Sequence, residues 1–333
     1  MPVRSRSRRF PEPTGLGRGE PTLIAHLKGR ERALEPFGLT GLQAEWIALA
    51  SLHGGVFTRA QLSDWLGASR FKVLRLVQAL KDRMLLAEET VGGLKVCRVC
   101  ARGVYRALGA EDVRFRRITS TEVAVRRLLS FDYVIEHPGL PWLPTGSERV
   151  AAFEALGIDR ALMPFRVYRG AAGGARRYFP RGMPVALDSR RAVFVHADPG
   201  YHTSTALHSW RDRHRRLWEA LREDGLSVEA VGVACARRPL VRARTILGNW
   251  THSDTAPRPV HPPGTVAAAR REAARVENAI RGNDDATVEE LSGLNGCLRR
   301  LVEMRDLLRS ARPEGTIDGH SVWRSSRLTG VRI

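Results

Sequence analysis

The chain has 333 residues, 43% of them hydrophobic, with 54 Lys+Arg against 35 Asp+Glu and a formal charge of +19. That length can bury more than one core, and the apolar fraction excludes a fully disordered chain. No apolar run approaches the roughly twenty residues that span a bilayer, four cysteines are too few for a disulfide scaffold, and the positive excess suits a polyanion such as nucleic acid. The basic charge is almost all arginine, since only Lys28, Lys72, Lys81 and Lys95 are lysines. The expected setting is the cytoplasm, at the nucleoid, with no membrane partner.

Residues 1–36 mix Arg, Pro and Gly with little apolar periodicity and read as a disordered basic arm. The next unit, 37–110, opens with Thr40 capping a helix that carries Leu42, Trp46, Ile47 and Leu49 and stops at Gly54-Gly55. Thr58 caps a second helix with Leu62, Trp65 and Leu66, ended by Gly67. Ser69 caps a third, with Phe71, Leu74, Val77, Leu80 and Met84 at spacings of three and four. A tight turn at Val91-Gly92-Gly93, a β-prone run Leu94–Val99 and a helix Arg102–Leu108 follow. Three short helices and a β-ribbon in this order predict a winged helix-turn-helix, with Gly67-Ala68 as the turn. Arg70, Lys72, Arg75, Gln78 and Arg83 lie largely off the apolar stripe. The expected double-stranded DNA contacts are therefore Arg70, Lys72, Arg75 and Gln78 on the third helix, with Lys95 and Arg98 at the wing. Trp46, Trp65 and Phe71 are expected in the core. The bland alternative is the same fold making protein contacts, its charged face simply solvated.

Beyond a helical connector near 110–130, residues 111–254 alternate β-prone runs with helices. Arg166–Tyr168 and Met183–Leu187 read as strands separated by a Gly-rich loop at 170–174. Ala192–Ala197, the long helix Thr205–Glu223 and Val228–Ala236 form a strand–helix–strand order that predicts a parallel crossover. A Pro-rich linker, 255–264, leads to a helical pair at 265–312 (Thr265–Arg281 and Thr287–Ser310). This pair could pack on the second domain or join two copies in a homodimer. Residues 313–333 read as a tail. The expected fold class is α+β: a winged helix-turn-helix, an α/β domain and C-terminal helices.

Few patterns carry chemistry. His196 and Asp198 are two apart on a strand and so share a face, and His208 and Asp212 are one helical turn apart, but no spacing fixes a metal geometry. No metal or other cofactor is expected. Cys97 and Cys100 would point to opposite faces of a strand, which does not suit one ion. The 170–174 loop lacks the Lys-Ser/Thr of a phosphate loop. Arg211, Arg213, Arg215 and Arg216 gather on the long helix as a second patch for DNA, or as a solvated face paired with Asp212 and Glu219. Tyr201 reads as a loop tyrosine.

The segment Met183-Pro184-Val185-Ala186-Leu187, then Val193-Phe194-Val195-His196-Ala197-Asp198-Pro199-Gly200, then the helix bearing Trp210, Leu217 and Trp218, follows a winged-helix pattern. In that order the chain resembles the replication-relaxation family, which includes MobC-like proteins of plasmids and integrative elements, over about 40–250. The resemblance implies a restriction-endonuclease-like second domain, with a Pro-Asp pair on one strand and an acid on the next holding a metal. Here Pro184-Val185 stands where that pair would fall, and His196 where the acid would. A hydrolytic site also wants a lysine near its carboxylates. His26, Arg70, Ala79 and Gly93 precede the four lysines by two positions, so Asp/Glu-x-Lys does not occur, nor does His-x-His. The expectation is a sequence-specific DNA-binding regulator or transfer factor with a nuclease-like scaffold that no longer cuts. Two alternatives stay open: a metal-dependent nuclease or relaxase with a diverged site at Asp188, His196 and Asp198, or a structural subunit of a nucleoprotein assembly.

Overall fold

The computed structural model describes residues 24–111, 120–170, 173–200, 202–251, 264–282, 284–310 and 315–328. The first helices are α1 (Gly41–His53), α2 (Arg59–Leu66) and α3 (Arg70–Asp82), with a two-residue strand β1 (Val56–Phe57) between α1 and α2. Strands β2 (Leu86–Val91) and β3 (Leu94–Val99) form an antiparallel hairpin. β1 pairs with the outer edge of β3, giving a three-stranded sheet in the order β1-β3-β2. Gly92 and Gly93 make the hairpin loop with φ of 57° and 79°, the left-handed pair that a two-residue turn of this kind requires. α2 begins with a reciprocal cap: Thr58 Oγ1 accepts from Gln61 N at 3.2 Å, and Gln61 Oε1 accepts from Thr58 N at 2.9 Å. A short helix α4 (Arg102–Ala107) closes the unit.

Residues 24–36 are not a free arm. They form two 3-10 turns, Ala25–Leu27 and Arg30–Phe37, which bury Ile24, Leu27 and Leu34 against α1. Three well-spaced apolar side chains are enough to anchor a segment whose remaining composition is polar. Residues 1–23 lie outside the described residues.

Helix α5 (Thr121–Glu136) is the centre of the molecule rather than a connector. One side of it joins the first core through Phe131 and Ile135. Its other side, with Val125, Leu128, Leu129 and Val134, packs on Val193, Val195, Val231 and Val233 of a second sheet, in a cluster that also holds Val56 and Val96 of the first. The two sheets therefore share one helix, and no boundary at 110/111 separates their cores.

Helix α6 (Gly146–Ala155) and the hairpin β4 (Phe165–Gly170) and β5 (Gly173–Tyr178) precede the second sheet; residues 171 and 172 lie outside the described residues. That sheet runs β6 (Val185–Leu187), β7 (Arg191–Asp198), β8 (Ser227–Ala234) and β9 (Gly319–Arg324). β6 is antiparallel to β7, while β7–β8 and β8–β9 are parallel. The strand–helix–strand expectation holds: α7 (Ser204–Glu223) is the crossover from β7 to β8. Alternation along β7 sends Ala192 and Phe194 to a layer of α7 and α8 (Arg237–Gly248), and Val193 and Val195 to α5. At Gly232 of β8, a Cβ would come within 2.8 Å of Ala243 Cβ, so the glycine lets α8 lie close on the sheet.

β9 overturns the expectation of a tail at 313–333: Gly319–Arg324 is the fourth strand of the second sheet. The expected end of the α/β unit at 254 was therefore too early. Its pattern, GHSVWR, is too polar to read as a buried strand because it lies at the sheet edge and is half-covered. Between β8 and β9, α9 (Thr265–Gly282) and α11 (Gly293–Ser310) pair around Ala269, Ala273, Val276, Cys297, Leu301 and Met304. The expected helix 287–310 is broken into α10 (Asp285–Glu290) and α11 by Ser292 and Gly293, whose φ values are 64° and 83°. Of the expected linker 255–264, all but Gly264 lies outside the described residues.

Candidate functional site

α3 buries Val73, Val77 and Leu80 against the first core. At about 100° per residue the opposite face is then Phe71, Arg75 and Gln78, flanked by Leu74, Lys72 and Arg70. The structure places all six in solvent. Phe71 is 78% and Leu74 41% exposed, so neither belongs to the core, contrary to the sequence expectation; Met84 is 80% exposed as well. The spacing of three and four admitted two stripes on this helix, and the β-branched Val73–Val77 pair marks the buried one. Among the described residues no acid pairs with Arg70, Lys72 or Arg75. Gln78 Nε2 donates to Asp82 Oδ1 at 2.7 Å, one turn along the same exposed face. The result is a cationic helix face with an aromatic ring at its N-terminal end.

The β2–β3 hairpin is more acidic than expected. Lys95 is exposed beside the Gly92-Gly93 loop. Arg98 does not flank that loop: it pairs in register with Ala87, and its Nε donates to Glu89 Oε1 at 2.7 Å. Glu88 is held by Arg59 at 2.8 Å and Lys81 at 3.6 Å, tying β2 to the first turn of α2 and the last of α3. Cys97 faces the core, where burial pushes its thiol up to about 12, while Cys100 Sγ lies 3.5 Å from Met84 O. The two thiols form no common site.

At the carboxyl end of β7 the geometry is that of a structural turn. Asp198 Oδ1 accepts from Gly200 N at 2.8 Å and from His202 N at 3.3 Å, so its carboxylate caps the loop leaving the strand. His202 Nε2 lies 3.3 Å from Glu122 Oε1, and Arg126 donates to the same oxygen at 3.2 Å. His196 is packed between the His202 and Trp210 rings, with Nε2 unpartnered, and burial holds it well below its usual value. Asp188 sits at the other end of β7, a strand of eight residues and thus about 23 Å long. There it caps the β6–β7 turn through Arg190 N and Arg191 N, both at 2.8 Å. Asp188, His196 and Asp198 therefore cannot meet on one ion. Among the described residues no three His, Cys, Asp or Glu side chains are grouped to hold a metal.

On α7, Arg211 pairs with Asp212 at 3.0 Å and Arg215 with Glu219 at 2.7 Å, whereas Arg213 Nη2 donates to Ser209 Oγ at 2.8 Å. Half of the second arginine patch is thus neutralised within its own helix. Tyr201 lies outside the described residues. Among the described residues no helix is long and apolar enough to cross a membrane. Compared with protein families, curated proteins and solved structures, the chain matches none of them.

Proposed function

We propose that this chain is a sequence-specific double-stranded DNA-binding protein that inserts α3 of a winged helix-turn-helix into a major groove. The observation that carries the reading is the solvent face of α3, where Arg70, Lys72 and Arg75 surround Phe71 and Gln78 with no acid paired to any of the three cations. Arg and Gln read base edges bidentately, and an exposed Phe at the helix start suits a thymine methyl. Lys95 at the hairpin tip adds a phosphate contact; Arg98, already paired with Glu89, is left out of the interface. The α1-β1-α2-α3-β2-β3 order and the Gly92-Gly93 wing support the same assignment.

On this reading the mixed β6–β9 sheet, covered by α5 on one face and α7 and α8 on the other, is a nuclease-like scaffold that positions DNA without cutting it. Asp198 and Asp188 are spent on capping two opposite loops. The protein would then serve a mobile element as a regulator or as an accessory factor in replication or transfer. Its two copies would meet through α11, whose Leu294, Leu298 and Val302 form an exposed stripe at four-residue spacing.

Fluorescence anisotropy on sheared and selected duplexes tests the binding itself. Affinity should fall steeply between 50 mM and 200 mM salt through counterion release, as expected for a many-phosphate contact. Arg75→Ala is expected to cost about 1–3 kcal/mol on a selected site and to relax its sequence preference, whereas Lys95→Ala should weaken all duplexes alike. Binding indifferent to salt, or unchanged in the Arg70→Ala, Lys72→Ala, Arg75→Ala triple variant, would remove the assignment.

A further inference from the structure

A second cationic feature lies away from α3, in a shallow cleft open to solvent between the 179–184 loop, β7 and α7. Arg149, Arg181 and Arg213 line it from three separate elements, together with His214, Phe179 and Trp210, and no carboxylate lines it. Arg149 is only 2% exposed. Its Nε donates to Leu143 O at 2.8 Å and its Nη2 to Pro144 O at 3.2 Å, so neutral carbonyls hold the guanidinium in place without cancelling its charge. Arg213 is steadied by Ser209. Among the described residues none of the three makes an ion pair. Burial lowers Arg181, and the neighbouring charges of Arg213 and Arg126 lower it further, with only Glu122 acting the other way. Arg149 is buried, Arg181 half-buried and Arg213 exposed at the mouth, so the charge converges from the floor of the cleft to its rim. A buried cation without a counter-charge is unfavourable unless an anion completes it.

We propose that this cleft binds a phosphate monoester, carried by a nucleotide or by the phosphorylated end of a nucleic-acid strand. Three guanidiniums arriving from different directions suit a tetrahedral, doubly charged group better than a planar carboxylate, which offers two oxygens to one fork. Phe179, Pro180, Met183 and Trp210 give the rest of the ligand an apolar wall on which a base can lie. Phe179 takes a φ of 48°, a conformation uncommon for a bulky residue, and this turn brings its ring to the cleft. His214 presents a neutral ring: its Nδ1 donates to Trp210 O at 2.8 Å, and burial lowers it to about 4. The site is independent of the α3 interface.

Isothermal titration of the full chain at low salt tests it, with AMP and with a six-nucleotide single strand bearing either a 5′-phosphate or a 5′-hydroxyl. The expected result is binding of AMP, of the 5′-phosphorylated strand in preference to its hydroxyl twin, or of both. Arg181→Gln and Arg213→Gln, neither of them a core residue, should each weaken that binding at least tenfold with unchanged melting temperature. The α3 triple variant should bind as wild type, which separates failure here from failure of the DNA reading. Selective binding of AMP alone assigns the site to a free nucleotide, and selective binding of the phosphorylated strand assigns it to a strand end. No AMP binding together with equal affinity for the two strands, or undiminished binding in both glutamine variants, overturns the proposal.

Discussion

Asp132→Ala is expected to destabilise the protein by about 2–4 kcal/mol, because three donors lose a buried, charged acceptor. Asp132 is fully buried on α5. Its Oδ1 accepts from Gln61 Nε2 at 3.0 Å and from Arg327 Nη1 at 3.1 Å, and its Oδ2 accepts from Ser325 Oγ at 2.6 Å. Arg327 also donates to Asp64 Oδ2 at 2.6 Å and pairs with Glu136. Gln61 meanwhile completes the cap of α2 and donates to Leu128 O at 3.3 Å. One carboxylate thus ties together α2, the central helix and the turn after β9, three elements from widely separated parts of the chain. Urea denaturation of Asp132→Ala, Arg327→Ala and the double variant measures the coupling. A loss in the double variant equal to the sum of the single losses would deny it. Because the network also ties α2, next to α3, to α5 and the turn after β9, Arg327→Ala should, on the proposed function, weaken duplex binding even at temperatures where the chain stays folded.

Acid is the second strong lever. His26, His53 and His196 are buried, and each titrates below the ordinary imidazole value. Burial lowers His26 to about 4, with Arg30 adding to it; His53 and His196 are held well below 6.5 by burial first and by neighbouring cationic and imidazole groups second. His26 and His53 face each other with Nε2 atoms 3.1 Å apart, a contact that tolerates at most one shared proton. The folded state therefore stays neutral at these sites while the unfolded chain takes up protons below about pH 6.5. Stability should be full well above that pH and fall as pH drops from 6.5 toward 4, by up to about 3 kcal/mol between pH 6.5 and 5.5 if all three remain neutral. Thermal melts across that range, with His53→Gln as comparison, measure the slope. A melting temperature constant from pH 7 to pH 5 would contradict it.

Several elements were legible because their signals are local. Gly92-Gly93 between β-prone runs, the Thr58 cap of α2, and the apolar runs of β7 and β8 around an amphipathic α7 each depend on neighbours within a few positions. The cations of α3 were legible for the same reason, since helical periodicity separates a charged face from a buried one. Phe71 was misplaced because the apolar residues of α3 support two overlapping stripes, and only the surface it packs against chooses between them.

What the amino-acid order determined unaided was the three helices and hairpin of residues 41–99, the β7–α7–β8 order, the net positive charge and the cations of α3, because caps, turns and side-chain periodicity act over one or two turns of chain. Tertiary structure alone decided that Gly319–Arg324 completes a sheet begun more than a hundred residues earlier, that α5 serves two cores, that Arg98 is neutralised by Glu89, that Asp188 and Asp198 stand at opposite ends of one strand, and that three arginines from α6, a loop and α7 face one cleft. Strand partners, buried ion pairs and converging charges are set by contacts between residues far apart in the chain, and no local pattern encodes which distant group will arrive.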